Sequence, residues 1–405
     1  MTQVPTVPDS NSAQHYLVRE AALASRADQF SAGLTGIRAL AALMVLAHHI
    51  FALAGPRLLA FHIPLPGHDV QITWHWLITC SWMGANLFFV LSGFLLAIPY
   101  AKQIEGIGPP VATGAYLLRR IRRVVPAYWV QIVILAVVLY FASGMLSLAM
   151  LASHFVFLHT LRVDYASALN GVYWTLPVEF GYYLLLPLFA ALALSAGRHA
   201  RSAWLALCVA LIAGAIAYRT LMFGVVAQEP IGMRVFILMQ LPGLIDHFAI
   251  GMLLAWVYVR HPGHLSNRAS NMLVLVGLGG IVAMMALLDH EFETYWEGHI
   301  LLFVGYSITA IFMGLLVLGT AAAGRLSRAL FANSAMLYVG LISYSLYLWH
   351  LPIIHWTMRA LDRFGVTGDR LWWLVAITVP ASLLVASASY FLVERPFLRR
   401  RKSVN

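Results

Sequence analysis

The chain has 405 residues, of which 61% are hydrophobic and only 10% are charged, and its mean hydropathy is +0.80. A soluble domain has about a quarter charged residues, so this composition excludes a soluble globular protein and predicts a polytopic membrane protein. The formal net charge of +10 is therefore assigned to loops that face the cytoplasm, and no nucleic-acid partner is expected.

The cysteines and the chain ends complete this outline. Cys80 and Cys208 lie in separate apolar runs, which argues against a disulfide framework and a zinc site. The first thirty residues lack the basic and then apolar order of a signal peptide. We predict a mobile cytoplasmic tail over 1–30, with a short interfacial helix from Ala13 to Phe30. A transmembrane domain over 31–395 and a basic cytoplasmic tail over 396–405 follow.

Long apolar runs predict an all-α membrane bundle of ten spanning helices. They are placed at 34–55, 74–99, 124–143, 177–195, 202–223, 234–258, 271–288, 299–321, 335–357 and 371–393. A shorter apolar stretch, 146–161, predicts a re-entrant or interfacial helix. Because most of the 26 basic residues fall in the tails and alternate loops, both termini are predicted to be cytoplasmic.

The first span carries two ionisable side chains, Arg38 near its start and His49 deep inside. Their spacing is about three helical turns, so both leave one face of the helix, about 16 Å apart along its axis. Ionisable residues inside a span are costly and are therefore candidates for function. A stripe of this kind suits an elongated, charged ligand. The alternative is an interfacial arginine and a histidine that only joins two helices.

Two motifs follow along the chain. The second span carries Asn86 and Ser92 in an aromatic setting, where polar and small residues could equally serve helix packing. The loop predicted before the third span contains four arginines in five positions and leads to Tyr128. Guanidinium groups match phosphate oxygens, so this cluster predicts a phosphate site, although it could be a topology anchor. The arginines are Arg119, Arg120, Arg122 and Arg123.

A single carboxylate, Glu179, is predicted about one turn inside the outer end of the fourth span. Tyr173, Trp174 and Tyr182 would flank it at the membrane interface. Because His49 is predicted at a similar depth, the two could form a base held by an orienting acid.

The later spans contain further polar residues. Asp246 and His247 are adjacent in the sixth span and point about 100° apart, so one is expected to face a cavity and the other a neighbouring helix. The ninth span carries Ser343, Tyr344, Tyr347 and His350 in one stretch, and His350 could equally be a packed polar contact. His48, His154, His159 and Arg219 are interpreted as structural.

Six segments, in this order, together resemble the membrane acyltransferase-3 family, in its stand-alone form without a soluble esterase-like domain. They are GLTGIRALAALMVLAHHI with its Arg38–His49 spacing, NLFFVLSGFLL, LLRRIRRVVPAYW, YWTLPVEFGYY, SYSLYLWHLPI and the closing VERPF. The likeness extends from about Leu34 to Arg400. Pro177, within WTLPVE, departs from the family's pattern and concerns the entry of the fourth span.

The resemblance implies an integral membrane O-acyltransferase of the cell inner membrane. It would transfer an acyl group, usually acetyl, from cytoplasmic acyl-CoA to a hydroxyl of a sugar or cell-envelope glycan or glycolipid, without a metal. By the family's pattern, Arg38 and His49 are the essential pair, and the arginine cluster and Glu179 support them. The residues expected to bind substrate or to support the site are Asn86, Ser92, Tyr128, Trp174, Tyr344 and His350.

The residues are compatible with this chemistry. Arginines at the inner surface would hold the CoA phosphates, and the pantetheine arm would run along the first span to His49. His49 would act as a general base or carry the acyl group itself, and the sequence does not choose between the two. A transporter of an anionic or sugar-linked substrate is the main alternative, and a non-catalytic scaffold is another. The acceptor, the acyl chain length and the oligomeric state stay open.

Overall fold

The apolar runs form the helices that the hydropathy pattern predicts. The structure is a computed structural model that describes residues 10–55, 60–65, 68–261 and 265–398. Within these residues, nine helices and one bent pair of helices are long and apolar enough to cross a membrane. Numbered in chain order, spans 1 to 10 are Phe30–Ala54, Trp76–Ile104, Thr113–Ser143, Thr175–Ser195, Gly197–Val226, Leu241–Arg260, Asn267–His290, Ile300–Ala321, Ser334–Leu341 with Ser343–Arg363, and Leu371–Leu398. The prediction of a multi-pass helical bundle is confirmed.

Two spans differ from their predicted form. Span 3 begins at Thr113 rather than at 124, so the four arginines lie in a spanning helix and not in a loop. Arginine stems can lie along an apolar helix while their heads reach polar surroundings, which a hydropathy window does not register. Span 9 is not one straight helix, because its two parts meet at 74° on either side of Ile342.

Several shorter elements join the spans. The helix of span 1 begins earlier, at Ser10, and runs without interruption to Ala54. Strands Ala60–Leu65 and His68–Thr73 form an antiparallel hairpin, the one departure from helical structure among the described residues. The stretch 146–161 contains helices too short to span, as predicted. These and the remaining short helices are Leu148–Phe155, His159–Leu161, Val163–Ala166, Ile231–Leu238, Phe292–Tyr295 and Arg325–Phe331.

Spans 2 and 6 pack closely because both carry glycine at their crossing. A Cβ atom added to Gly93 would lie 2.4 Å from the carbonyl oxygen of Phe248, and one added to Gly251 would lie 2.4 Å from that of Val90. Small residues allow membrane helices to approach in this way. The backbone around Ser92 is therefore fixed against span 6, and the opposite face of span 2 is left to line the site.

The segment before span 4 is folded into the bundle rather than lying at its surface. Asn170 donates a hydrogen bond of 2.9 Å to the carbonyl oxygen of Leu348, and the hydroxyl of Tyr173 donates one of 2.8 Å to Gln131 Oε1. All three polar side chains taking part are buried. Span 4 consequently begins inside the protein, with Pro177 in its first turn, where proline is tolerated.

Candidate active site

The main cavity of the described bundle has a volume of about 400 Å³ and opens among the arginines of span 3. It combines a strongly basic end with a deeper end of aromatic and hydroxyl groups. Its polar and aromatic lining comes from spans 1, 2, 3, 4 and 9: Arg38, Phe88, Phe89, Ser92, Arg119, Arg120, Arg122, Arg123, Thr175, Glu179, Tyr183, Tyr344 and Tyr347. Phe397 and Leu398 of span 10 close the basic end, so the start of span 1 and the end of span 10 lie at the same end of the bundle.

The four arginines of span 3 are held differently from one another. Arg123 forms a 2.7 Å ion pair with Glu394 and lies over the ring of Tyr344 at 5.8 Å. Arg120 has a buried Nε without a hydrogen-bond partner. Within the described residues, neither Arg119 nor Arg122 has a carboxylate within 4 Å, and both are exposed. The cavity thus has unneutralised guanidinium groups, which would bind an anion.

Arg38 meets the cavity from span 1, opposite the span 3 cluster. It interacts electrostatically with Arg123, Glu179 and Glu394. Glu179 in turn accepts a 2.7 Å hydrogen bond from Ser92 Oγ. Ser92 therefore orients the carboxylate that faces Arg38, and the structure brings Arg38, Ser92 and Glu179 together in one cavity.

The predicted contact between His49 and Glu179 is wrong. The side chain that His49 contacts is His350, whose Nε2 lies 3.2 Å from His49 Nδ1, whereas Glu179 accepts from Ser92 and faces Arg38. The segment before span 4 is folded into the bundle, which a count of spanning residues does not register.

Hydrogen bonding fixes one arrangement of protons in the histidine pair. His49 Nδ1 lies 2.9 Å from the carbonyl oxygen of Val45, and His350 Nδ1 lies 3.1 Å from that of Leu346. A carbonyl only accepts, so both Nδ1 atoms carry the proton in the neutral rings. The single Nδ1 proton of His49 is then shared between the carbonyl oxygen of Val45 and His350 Nε2. His49 Nε2 keeps its lone pair and has no hydrogen bond to a described residue. An imidazole held in this way can accept a proton.

The histidine pair adjoins the deep end of the cavity but does not line it. Tyr347 connects them, because it lines the cavity and its ring centroid lies 5.8 Å from that of His350. The hydroxyl of Tyr347 is held by Thr175 Oγ1 at 2.8 Å and by the carbonyl oxygen of Val172 at 3.0 Å. Phe88 packs edge-on against the same ring. Passage from the cavity to His49 therefore requires these side chains to move.

Three predicted supporting residues do not line the cavity. Asn86 is buried in span 2. Tyr128 is also buried, and its hydroxyl donates to the carbonyl oxygen of His154 at 2.9 Å. Trp174 packs against Phe89.

The predicted aromatic belt around Glu179 is also wrong. Tyr173 and Tyr182 are both fully buried in the core instead of lying at the membrane interface. Their burial follows from the inward fold of the segment that carries them.

Asp246 and His247 do not line this cavity, contrary to the prediction for one of them. Asp246 receives hydrogen bonds from Arg219 Nη1 at 2.9 Å and from Ser307 Oγ at 2.6 Å. It also contacts His247 Nδ1 at 2.8 Å. Because Arg219, Asp246 and His247 are fully buried and pair with one another, they form a structural centre. The transporter alternative therefore loses the two ionisable residues on which it relied, Asp246 and His247.

Two residues of this site, one beside the cavity and one on its lining, were not identified from the sequence. Beside the cavity, Glu394 is only 1% exposed, pairs with Arg123 and accepts a hydrogen bond from Ser345. In the sequence, Glu394 can be recognised as a lone carboxylate at the end of an apolar run, where a charge needs a partner. Tyr183 lines the cavity next to Glu179, and in the sequence it is one tyrosine among 17.

Comparison with known proteins identifies the family of the chain. The sequence pattern of the acyltransferase-3 family, described as an acyltransferase domain, matches residues 31–391. The chain is 22% identical over 392 residues to the peptidoglycan O-acetyltransferase OatA of Listeria monocytogenes, covering 92% of this chain and 56% of OatA. It is 23% identical over 378 residues to nodulation protein 10 of Rhizobium leguminosarum bv. viciae, covering 84% of this chain and 88% of that protein. No solved structure matches. The chain belongs to the acyltransferase-3 family of membrane proteins.

Proposed function

We propose that this protein transfers an acyl group, in the first place acetyl, from acyl-CoA to a hydroxyl of a cell-envelope glycan. The observation that carries the proposal is the cavity of about 400 Å³ with five arginines at one end and the His49–His350 pair beyond the other. The two ends of acyl-CoA match the two ends of the cavity, because the ligand has phosphates at one end and a thioester at the other. The chain spans about half the length of its Listeria relative, so the activity is inferred for this chain by itself.

The donor would bind with its phosphates among the arginines of span 3 and Arg38. Guanidinium forks form paired, charge-assisted hydrogen bonds with phosphate oxygens. Glu179 and Ser92 would hold Arg38 in position, since Glu179 faces Arg38 and accepts from Ser92. By the positive-inside rule, the arginine end faces the cytoplasm of an inner membrane, where acyl-CoA is made.

The chemical step assigned to His49 is general-base catalysis. His49 Nε2 takes the proton of the acceptor hydroxyl while the oxygen attacks the thioester carbonyl. The tetrahedral intermediate collapses with cleavage of the carbon–sulfur bond, and the proton passes to the departing CoA thiolate. His350 holds the reactive tautomer, since it accepts from His49 Nδ1. The alternative, in which Nε2 takes the acyl group before passing it on, uses the same geometry.

Tyr347 would control access of the thioester to His49. Its hydroxyl is bonded to Thr175 and Val172, and its ring stands between the cavity and His350. A rotamer change at this ring, together with Phe88, would open the last part of the path.

The proposal is tested by mass spectrometry of envelope glycans from cells with and without the gene, and from cells expressing His49→Ala. Loss of an acetyl increment in both the deletion and the variant is expected, because general-base catalysis contributes about 10²–10⁴-fold. His290→Gln is the matched control, since the His290 side chain is 81% exposed and lines neither described cavity. Unchanged glycans in the deletion strain would contradict the proposal.

A second assay separates an enzyme from a carrier. The purified protein is incubated with acetyl-CoA and envelope glycans, and free CoA thiol is measured. An acyltransferase releases CoA only when an acceptor is present, whereas a transporter releases none.

A further inference from the structure

A second cavity, with a volume of about 240 Å³, lies beyond the histidine pair from the arginine cavity. The two cavities share span 9, because Tyr344 and Tyr347 line the first and residues 352–359 line the second. His350 lies between these two sets along the helix. A ligand in the second cavity would therefore approach the histidines from the side opposite to the arginines of span 3.

The second cavity has one apolar wall and one polar wall. Span 3 supplies the apolar wall with Leu135, Val138, Leu139 and Ala142. The polar wall comes from the segment before span 4 and from the end of span 9, and consists of Ser167, Asn170, His355, Trp356 and Arg359. An exposed aromatic ring beside hydrogen-bonding groups suits a sugar, whose ring has apolar faces and polar edges.

Arg359 gives this cavity a positive charge. Its side chain is exposed and, in the part of the chain described here, has no carboxylate within 4 Å. By contrast, Arg370 nearby is held by Asp362. An arginine at the rim of a cleft attracts a carboxylate or a phosphate, with which its planar fork can form two hydrogen bonds.

The cavity also lies near the reacting histidine. His355, on its lining, is close enough to His49 for their charges to interact. Asn170 connects it to span 9, because its side-chain amide donates to the carbonyl oxygen of Leu348, two residues before His350. A sugar held on this wall would therefore lie on the side of the histidine pair where His355 is placed.

We infer that the second cavity is the acceptor site, and that it takes a glycan carrying an anionic group, with Arg359 on the anion and Trp356 against a sugar ring. The inference rests on the proposed function, because a ligand in the second cavity would supply the hydroxyl that His49 activates. Two sources of the anion share this chemistry: a phosphate that links the glycan to a polyprenyl lipid, and a carboxylate on the sugar. The apolar wall of span 3 would face the lipid in the first case.

Direct binding to the purified full-length protein in nanodiscs tests the inference without an acyl donor. Three probes are compared: a disaccharide linked through pyrophosphate to a short polyprenyl chain, a galacturonic acid tetramer, and neutral cellotetraose. Arg359→Gln is expected to raise the Kd of at least one anionic probe by about tenfold or more, the loss of one charge-assisted hydrogen bond. Arg363→Gln is the matched control, because Arg363 is exposed on the same helix but does not line the cavity.

The outcomes distinguish the two sources of the anion and show whether the inference fails. Preference for the pyrophosphate probe identifies a lipid-linked acceptor, and preference for the uronate identifies a carboxylate. Equal Kd values for Arg359→Gln and Arg363→Gln, tighter binding of cellotetraose, or binding of none of the probes would overturn the inference. Acetyl-CoA binding, measured on the same samples, is expected to be unchanged in Arg359→Gln. If wild-type protein does not bind acetyl-CoA, the proposed function fails. The Kd values of the glycan probes still test whether the second cavity binds an anionic glycan.

Discussion

Two clusters of charge lie inside this bundle, and they differ in how completely they are paired. Around Asp246, Arg219, His247 and Ser307 supply hydrogen bonds, and Arg219 also donates to the carbonyl oxygens of Phe303 and Gly243. All four polar side chains are buried. In the arginine cavity, five guanidinium groups face only two nearby carboxylates, Glu179 and Glu394, and the space between them is open.

The difference separates a structural cluster from a ligand site. Charges that leave water must be paired and hydrogen-bonded, and Arg219 and Asp246 meet this condition within the protein, while His247 Nε2 has no described hydrogen-bond partner. The arginine cavity does not, so its missing partners must come from solvent or from a bound anion. The predictions below use this contrast, since breaking the first cluster should affect folding and breaking the second should affect binding.

The largest effect is expected from Arg219→Met. This substitution leaves the Asp246 carboxylate buried without its cation, which costs about 3–5 kcal/mol. A large fall in melting temperature in detergent, or loss of extractable protein, is the expected result. The double variant Arg219→Met/Asp246→Leu should recover much of the loss, because both charges are removed together. A single variant that melts like the wild type would show that the cluster is not a structural centre.

Arg38→Gln is expected to have the next largest effect, but on acyl transfer. Loss of one charge-assisted contact to phosphate should lower kcat/KM for acetyl-CoA by about 10–100-fold. The melting temperature should change little, because no buried group among the described residues is hydrogen-bonded to Arg38. Steady-state kinetics and thermal melting on the same preparation make the comparison. A variant that loses stability instead of donor affinity would place Arg38 with the structural cluster.

Arg119→Gln and Arg122→Gln are expected to give smaller effects. Both side chains are exposed, so solvent and salt screen their contribution, and KM for acetyl-CoA should rise by about three- to tenfold with kcat unchanged. The rise should shrink as the ionic strength increases. The exposed Arg325, at the start of a short helix away from the cavity, is the control site. An effect of Arg325→Gln equal to theirs would argue for a general surface charge effect.

The smallest effect concerns acid stability outside the spans. Burial, with a contribution from His154, lowers the pKa of His159 to about 4 from its ordinary 6.5. As the pH falls, the unfolded chain takes up this proton first, so stability is lost between about pH 6.5 and about pH 4. His159→Gln should reduce that loss, seen as a smaller drop in melting temperature from pH 7 to pH 4. His290→Gln should not, because the His290 side chain is 81% exposed.

The sequence predicted the bundle well because lipid imposes a simple rule on it. Each of the ten predicted spans has its counterpart, since only long apolar helices satisfy the backbone in a membrane. Errors arose where polar side chains occur within helices. The arginines of span 3 obscured the true start of that helix. The bend at Ile342 follows Gly340, but glycine is common in membrane helices and does not by itself indicate a bend.

For the site, the sequence identified residues but not their partners. Arg38, Ser92, Glu179, Tyr344 and the four arginines do line one cavity. Their pairing depends on depth, and depth depends on the inward fold before span 4, which is set by contacts such as Asn170 with Leu348. Contacts of this kind join residues far apart in the chain and leave no periodic signal. His49 was therefore matched with Glu179 instead of His350.

The central claim, that the arginine cavity binds the phosphates of the acyl donor, is tested most directly by comparing CoA with a ligand that lacks only the 3′-phosphate and with one that lacks the whole phosphoadenosine part. Binding of CoA, 3′-dephospho-CoA and pantetheine to the purified wild-type protein is measured at one ionic strength. The account predicts that CoA binds about tenfold or more tightly than 3′-dephospho-CoA, and that pantetheine binds most weakly. Equal affinities for the three ligands would contradict it.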